Sequence, residues 1–307
     1  MFINVLIQVI ILFILISIGF ALGKTKMLNG EWVRCMTDFV LIIVTPCVIV
    51  KSFFREFNTH DLKNLLISFL LGVLLHFGFI IFSLIFLRDK NPDRKAVLNF
   101  AAVFSNCGFM SLPLQQALLG DEGVFLGSSY VAIFNAFVWS WGLKIMSGNK
   151  KDLNPIKIIT RPAILSIFVG RIIFLFSIPV PKIITEPVAL IAAVNTPIPM
   201  IIIGYHLSNS NILKSLTDVK CILTILLRLI ILPAIAIPLM WVCDVKGAML
   251  ISLAICAAAP VAANTTMFAS KYNRDTELSV NLVSLSTLLS LITMPLMITF
   301  AEYLSKI

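Results

Sequence analysis

The sequence predicts an all-α integral membrane protein of ten transmembrane helices, arranged as two inverted five-helix repeats in which helices 4 and 9 are broken. Three observations predict this fold class. Hydrophobic residues make up 59% of the 307 residues and charged residues only 13%, which is more apolar than a soluble domain requires. Apolar runs of about 20 residues recur along the whole chain. The two halves of the chain also align with each other.

Ten apolar runs are long enough to cross a hydrocarbon core roughly 30 Å thick. They are continuous rather than alternating, which is typical of helices and not of barrel strands. The first run has no Lys or Arg before it and no small-residue cleavage pattern after it, so we expect it to be retained. The predicted spans are 3–22, 33–53, 62–87, 96–119, 123–146, 157–178, 187–207, 219–242, 246–270 and 277–302.

The Lys and Arg residues predict the orientation of the spans. If the spans alternate in direction, sixteen of the 24 basic residues fall on one side and six on the other, with Arg171 and Arg228 inside spans. The richer side is expected to be cytoplasmic, so both termini are expected outside the cell membrane, here the bacterial inner membrane. The net charge of +9 is therefore a topology signal, and no nucleic-acid partner is expected.

The two halves follow one plan. A shift of 151 residues without gaps places Thr45-Pro46 on Thr196-Pro197 and Gly19 on Gly170. Because each half has five spans, the second half must enter the membrane from the opposite side, and the repeat is inverted. Secondary transporters commonly use such repeats, with the substrate site at the repeat interface. The alternative is a gene duplication with no consequence for transport.

The predicted organisation follows from this repeat. Residues 1–148 form the first five-helix repeat and residues 157–307 form the second. Residues 149–156 form a short cytoplasmic linker between them.

Helices 4 and 9 contain matching groups of residues that interrupt a helix. A proline cannot donate to the carbonyl one turn back, a glycine lowers the cost of leaving helical geometry, and an asparagine amide offers hydrogen bonds at mid-depth. The positive N-terminal ends of broken helices favour an anion, most simply a carboxylate. The alternative is a kinked but continuous helix whose amide bonds to a neighbour. The candidate substrate-binding residues here are Asn106, Cys107, Gly108, Pro113, Pro260, Asn264 and Thr265.

Further candidates lie in other spans. Prolines at corresponding positions of helices 2 and 7 predict bends that shape a cavity, and they make Thr45, Asn195 and Thr196 additional substrate-binding candidates. Ionisable groups at membrane depth are costly, so His76 and Arg228 are coupling candidates. His76 could exchange a proton, and Arg228 could neutralise a substrate carboxylate. The alternatives are a neutral histidine bonded to a helix carbonyl and an arginine in a structural ion pair.

The sequence does not indicate an enzyme, a metal site or a cofactor. His60, His76 and His206 have no metal-ligand spacing, and the six cysteines form no Cys-x-x-Cys pair. The spans contain no cluster of Asp or Glu, which favours a proton-coupled carrier or a uniporter over a sodium-coupled symporter of organic anions. A passive channel and a membrane ligand sensor on the same fold stay open as alternatives.

Two motifs are similar to those of the auxin efflux carrier family, which includes the plant PIN carriers. Asn106 followed by Pro113-Leu114 resembles the Asn-to-Pro-Leu segment of the family's fourth helix. The stretch Phe268-Ala269-Ser270-Lys271-Tyr272-Asn273 resembles the Phe-Ala-x-x-Tyr-Asn sequence that ends its ninth helix. Thr265 stands where the plant carriers have a crossover proline, and the loop around 147–156 is short. These departures argue against auxin as the substrate.

The resemblance implies a fold related to that of the bile acid sodium symporters. Helices 1, 2, 6 and 7 would form a scaffold, and helices 3–5 and 8–10 would form a moving transport domain. The resemblance also implies that Asn106 contacts a substrate carboxylate. We therefore expect a secondary transporter of a small organic anion in a lipid bilayer, working by an elevator-like displacement. A homodimer through the scaffold helices is a further expectation.

Overall fold

The computed structural model describes residues 2–148, 160–210 and 217–307, and the predicted linker 149–156 lies outside them. Within the described residues, seven helical runs are long and apolar enough to cross a membrane, which confirms the predicted all-α membrane class. The ten-crossing count and the inverted relation of the halves stay predictions. The seven runs are Ile3–Lys24, Gly30–Ser52, Thr59–Phe86, Cys107–Ser147, Lys182–Ser208, Val219–Val242 and Thr276–Leu304.

The helices are numbered here in chain order. The first seven are α1 (Phe2–Lys24), α2 (Gly30–Phe39), α3 (Thr45–Ser52), α4 (Thr59–Phe86), α5 (Pro92–Val103), α6 (Leu112–Phe137) and α7 (Leu143–Ser147). The others are α8 (Pro162–Leu175), α9 (Lys182–Ala193), α10 (Pro197–Ser208), α11 (Val219–Leu226), α12 (Leu232–Val242), α13 (Gly247–Ala258), α14 (Asn264–Lys271) and α15 (Thr276–Leu304). Wider π-helical turns join several of them, at Val40–Val44, Cys107–Ser111, Val138–Gly142 and Leu227–Ile231.

Three of these π turns come directly before a helix that has proline in its first turn. The prolines are Pro46, Pro113 and Pro233. Proline has no N–H to donate, and its ring clashes with the carbonyl four residues earlier. A π turn accommodates both effects without ending the helix. Helix 2 of the prediction is therefore widened at Pro46 and stays helical from residue 30 to residue 52.

The helices predicted as the scaffold pack closely against one another. α1 lies along α10, and α3 lies against α8 and α9. The backbones of α1 and α10 approach so closely that a Cβ atom added at Gly19 would overlap the carbonyl of Ile201. A Cβ atom added at Gly204 would overlap the carbonyl of Ile16 in the same way. Small residues permit this kind of contact between membrane helices.

This contact gives a stability prediction. Gly19→Ala is expected to lower the free energy of unfolding by about 1–3 kcal/mol, because the added methyl group forces α1 away from α10. The control is Gly78→Ala in α4, where an added Cβ atom meets nothing within 4 Å. The control should be neutral or stabilising by about 1 kcal/mol, since alanine is the better helix former. The melting temperatures of the two purified variants check this, and equal values would contradict it.

The other helices pack around α6 and α13. α6 contacts α4 and α13, and α13 also contacts α12 and α15. At one end of this group, the Arg94 side chain lies 3.5 Å from Asp89 and 3.6 Å from Asp275, and it donates to Asp218. Burial acts to raise the pKa of Asp218, but the hydrogen bonds from Arg94 and the Cys221 N–H outweigh burial and hold that pKa below its ordinary value. Ionic contacts thus tie together the starts of α5, α11 and α15.

Candidate functional site

The helical structure is interrupted at two places that meet inside the protein. α5 ends at Val103, and helical turns resume at Cys107. α13 ends at Ala258, and α14 begins at Asn264. Each interruption therefore leaves one C-terminal and one N-terminal helix end inside the protein, with backbone groups that have no partner within their own helix.

The two interrupting segments, 104–106 and 259–263, pair with each other at a place called here the crossing. The Asn106 N–H donates to the Pro260 carbonyl at 2.7 Å, and the Ala262 N–H donates to the Phe104 carbonyl at 2.9 Å. The Val261 N–H donates to the hydroxyl of Ser286 at 3.1 Å. This short antiparallel contact satisfies several backbone groups that the helix ends leave free, which is necessary away from water.

Arg228 binds both C-terminal helix ends at this crossing. Its Nη1 donates to the carbonyls of Ala102 and Val103 at 3.2 and 3.1 Å, and its Nη2 donates to the carbonyl of Ala257. The side chain is fully buried, and its guanidinium carbon lies 5.1 Å from the centre of the Phe79 ring. A helix C-terminus carries a partial negative charge, so the guanidinium neutralises two such charges at once.

The two N-terminal helix ends line a cavity instead, called here the central cavity. Its volume is about 180 Å³. Gly108 and Asn264 belong to the two N-terminal ends, and a Cβ atom added at Gly108 would meet nothing within 4 Å. The remaining wall is mostly apolar, as is usual for sites that bind small molecules. The lining residues are Asp38, Leu41, Ile42, Thr45, Asn106, Gly108, Phe109, Val131, Phe134, Asn135, Trp139, Arg161, Pro162, Ala163, Ala262, Asn264 and Met267.

The central cavity holds polar groups without partners among the described residues. Asn106 is 4% exposed and its Nδ2 has no acceptor, while Thr45 is 3% exposed and its Oγ1 has no partner. The Arg161 guanidinium carbon lies 3.3 Å from the centre of the Trp139 ring, and the Arg161 Nε is buried without an acceptor. Buried polar groups are normally satisfied, so these groups indicate a ligand or ordered water in the cavity.

A second cavity of about 230 Å³ is lined by residues of α3, α6 and α9 and of the segment that follows α9. Three of the sequence candidates, Pro113, Asn195 and Thr196, line it together with Lys51. The buried Oδ1 of Asn195 has no donor among the described residues. Lys51 is paired with Asp121 at 2.8 Å, and this pair joins α3 to α6.

The remaining sequence candidates line neither of these cavities. Cys107 and Thr265 are fully buried, and Pro260 serves the backbone pairing at the crossing. His76 is fully buried, with its Nδ1 at 2.7 Å from the Gly72 carbonyl and its ring among aromatic side chains. These rings belong to Phe79, Phe104, Tyr130, Phe134 and Phe137.

Three polar residues and one tryptophan of the central cavity were not among the sequence candidates. They are Asp38, Asn135, Trp139 and Arg161. One signal for Asp38 was present, because positions 38, 41, 42 and 45 share one helix face and Thr45 was already a candidate. In the sequence, Arg161 is only one of the basic residues on the side expected to be cytoplasmic.

Comparison with known proteins agrees with the resemblance found in the sequence. The model of a family described as "Membrane transport protein" matches residues 4–158 and 151–298. An uncharacterized transporter of Methanothermobacter thermautotrophicus is 23% identical over 289 residues, covering 92% of this chain and 94% of that protein. The resemblance to the auxin efflux carriers is thereby confirmed, together with a bilayer setting and a small-molecule substrate. The chain belongs to the auxin efflux carrier family of membrane transport proteins.

Proposed function

We propose that this protein is a secondary transporter that carries a small carboxylate across the cell membrane and holds it in the central cavity. The observation that supports this most strongly is the separation of charge at the crossing. Arg228 neutralises the two C-terminal helix ends, whereas the two N-terminal ends line the cavity. A carboxylate there would meet two positive helix ends, the Asn106 amide and the Arg161 guanidinium.

We propose that the chain crosses the membrane ten times as two inverted repeats, residues 1–148 and 157–307. At Gly120 the backbone inside α6 has φ 65°, so α6 contains the end of one membrane span and the start of the next. Gly19 and Gly170, which the 151-residue shift aligns, both make close contacts. Gly19 meets α10, and a Cβ atom at Gly170 would overlap the Phe53 ring after α3. In the numbering of the predicted spans, helix 1 thus packs against helix 7, and helix 6 packs against helix 2. A two-fold relation between the halves produces this reciprocal pattern.

We propose alternating access by an elevator-like displacement. α1–α3 and α8–α10 would form the scaffold, and α4–α7 and α11–α15 would form the transport domain. Both cavities lie between these groups, since residues from each group line each cavity. Thr45 and Thr196 are aligned by the internal repeat, and the first lines the central cavity while the second lines the other cavity. Equivalent cavities on the two sides are what inverted repeats provide for two access states.

We propose that transport is coupled to protons or is uncoupled, and that it does not require sodium. A coupling cation at the crossing would be held by the carbonyls of the C-terminal helix ends. Arg228 already donates to those carbonyls. We propose His76 as a proton site, although its side chain is fully buried and lines neither cavity.

We further propose that both termini are outside the cell and that the protein forms a homodimer through its scaffold helices. α9 supports the homodimer, because none of its residues is buried within the single chain. Ile183 and Leu190 of this helix are 83% and 72% exposed, which leaves a broad apolar face for lipid and a second copy.

Transport assays on the purified protein in liposomes test the proposed function. Labelled small carboxylates should accumulate above the outside concentration, driven by a proton gradient or by exchange, and replacing sodium with potassium should not slow uptake. Arg161→Gln should lower uptake at least about tenfold, since it removes a charge-assisted hydrogen bond. Arg34→Gln, at an exposed position of α2, is the control and should transport normally. Flux without accumulation would indicate a channel, and binding without flux would indicate a sensor.

A further inference from the structure

We infer that the solute carried in the central cavity bears an amino group as well as a carboxylate, as an apolar amino acid does. This inference rests on the proposed function and narrows its substrate class. It depends on two opposite charges that line the same cavity, the carboxylate of Asp38 and the guanidinium of Arg161. Neither side chain forms an ion pair with any residue that the structure describes.

Asp38 faces the cavity from α2. Asp38, Leu41, Ile42 and Thr45 all line the cavity, so α2, the following π turn and the start of α3 present one side to it. The neighbours of Asp38 on this side are two apolar side chains and one hydroxyl, none of which neutralises a carboxylate. Asp38 is an exposed residue without an ion-pair partner among the described residues, and its carboxylate attracts a cationic group that enters the cavity. The wall around Asp38 therefore favours a ligand with a positive group.

Arg161 provides the positive charge of the site. Its stacking on Trp139 fixes the plane of the guanidinium and leaves the N–H edge to bind a carboxylate. The unpaired Nδ2 of Asn106 supplies a second donor in the same cavity. The carboxylate of the solute would therefore lie between Arg161, Asn106 and the two N-terminal helix ends.

A solute with both charges satisfies the two walls together. A simple carboxylate would pair with Arg161 but would leave Asp38 unpaired and repelling it across a cavity of about 180 Å³. An amino carboxylate would place its ammonium group near Asp38 and the free Thr45 hydroxyl. The rest of the cavity wall includes Phe109, Phe134 and Met267, which suit an apolar side chain.

Binding of matched compounds to the purified full-length protein tests the inference. Each amino acid is compared with the acid that lacks only the amino group: leucine with 4-methylpentanoate, valine with 3-methylbutanoate, and phenylalanine with 3-phenylpropanoate. Calorimetry or thermal shift should give a Kd at least about tenfold lower for the amino acid in one or more pairs. Equal or tighter binding of the acids that lack the amino group would overturn the inference and leave the proposed carboxylate site intact. Failure of all six compounds to bind would overturn the inference, whereas failure of every carboxylate in the transport assay, amino acids included, would overturn the proposed function.

Two substitutions assign the charges. Asp38→Asn should remove the preference for the amino acid and should leave the affinity for the matching simple acid unchanged or higher. Arg161→Gln should weaken both members of each pair. Asp244→Asn, at a side chain that is 90% exposed, is the control and should change neither affinity. If Asp38→Asn lowers the affinity for both members of a pair equally, Asp38 does not bind an amino group and the inference is wrong.

Discussion

Replacing Arg228 with Met should lower the free energy of unfolding by roughly 3 kcal/mol and should abolish transport. The substitution removes the donors of three buried carbonyls, those of Ala102, Val103 and Ala257. Each buried acceptor left without a donor costs about 1–3 kcal/mol. Removing a buried charge returns part of this cost. The two C-terminal helix ends would also repel each other at the crossing once the guanidinium is gone.

Two comparisons separate this effect from the general loss of an arginine. Arg171→Met removes a second arginine of the apolar helices, which is partly exposed and donates to the Ser129 hydroxyl at 3.0 Å. It should cost less than about 1 kcal/mol and should retain transport. Arg228→Lys keeps the charge but loses the planar fork of donors, so an intermediate melting temperature is expected. Arg228→Met with the melting temperature and uptake of the unaltered protein would show that the crossing does not depend on this side chain.

The helix interruptions could be predicted because they depend on residue types that lie close together in the sequence. Asn106, Gly108 and Pro113 in one apolar run, and Pro260 and Asn264 in another, disfavour continuous helix because of their own chemistry. The same kind of evidence was less informative at Pro46. There the structure keeps the helix and widens it by a π turn, since packing of α3 against α8 and α9 favours a continuous helix. Proline therefore marks a disturbance of the helix without deciding between a bend and a break.

The composition of the site was less predictable, because it depends on contacts between distant segments. In the sequence Arg161 looks like an ordinary basic residue near the cytoplasmic start of a span, yet its stacking on Trp139 places it in the cavity wall. Asp38 is a single carboxylate near the start of a span, and only the cavity shows what it faces. Arg228 was considered as a partner for a substrate carboxylate. Its three carbonyl acceptors come from α5 and α13, which no spacing rule relates to residue 228.

Replacing Asn106 should weaken binding without lowering protein stability. Asn106→Ala is expected to raise the Kd for the transported carboxylate about ten- to a hundredfold, since a hydrogen bond to a charged group is worth about 1.5–3 kcal/mol. Asn106→Asp should weaken binding further, because it adds a negative charge where the carboxylate binds. Calorimetry on the purified variants measures both values.

Protein stability distinguishes this prediction from simple damage to the fold. The backbone pairing of Asn106 with Pro260 does not involve the side chain, so neither variant should melt at a lower temperature than the unaltered protein. A negative side chain beside a helix N-terminus is favourable by about 0.3–1 kcal/mol, so Asn106→Asp should be the more stable of the two. Asn99→Ala is the matched control: its buried amide donates to the carbonyls of Leu87 and Lys95, so the variant should melt earlier but bind normally. If Asn106→Asp binds the carboxylate as well as the unaltered protein does, then the N-terminal helix ends do not hold it, and the charge separation at the crossing has another purpose.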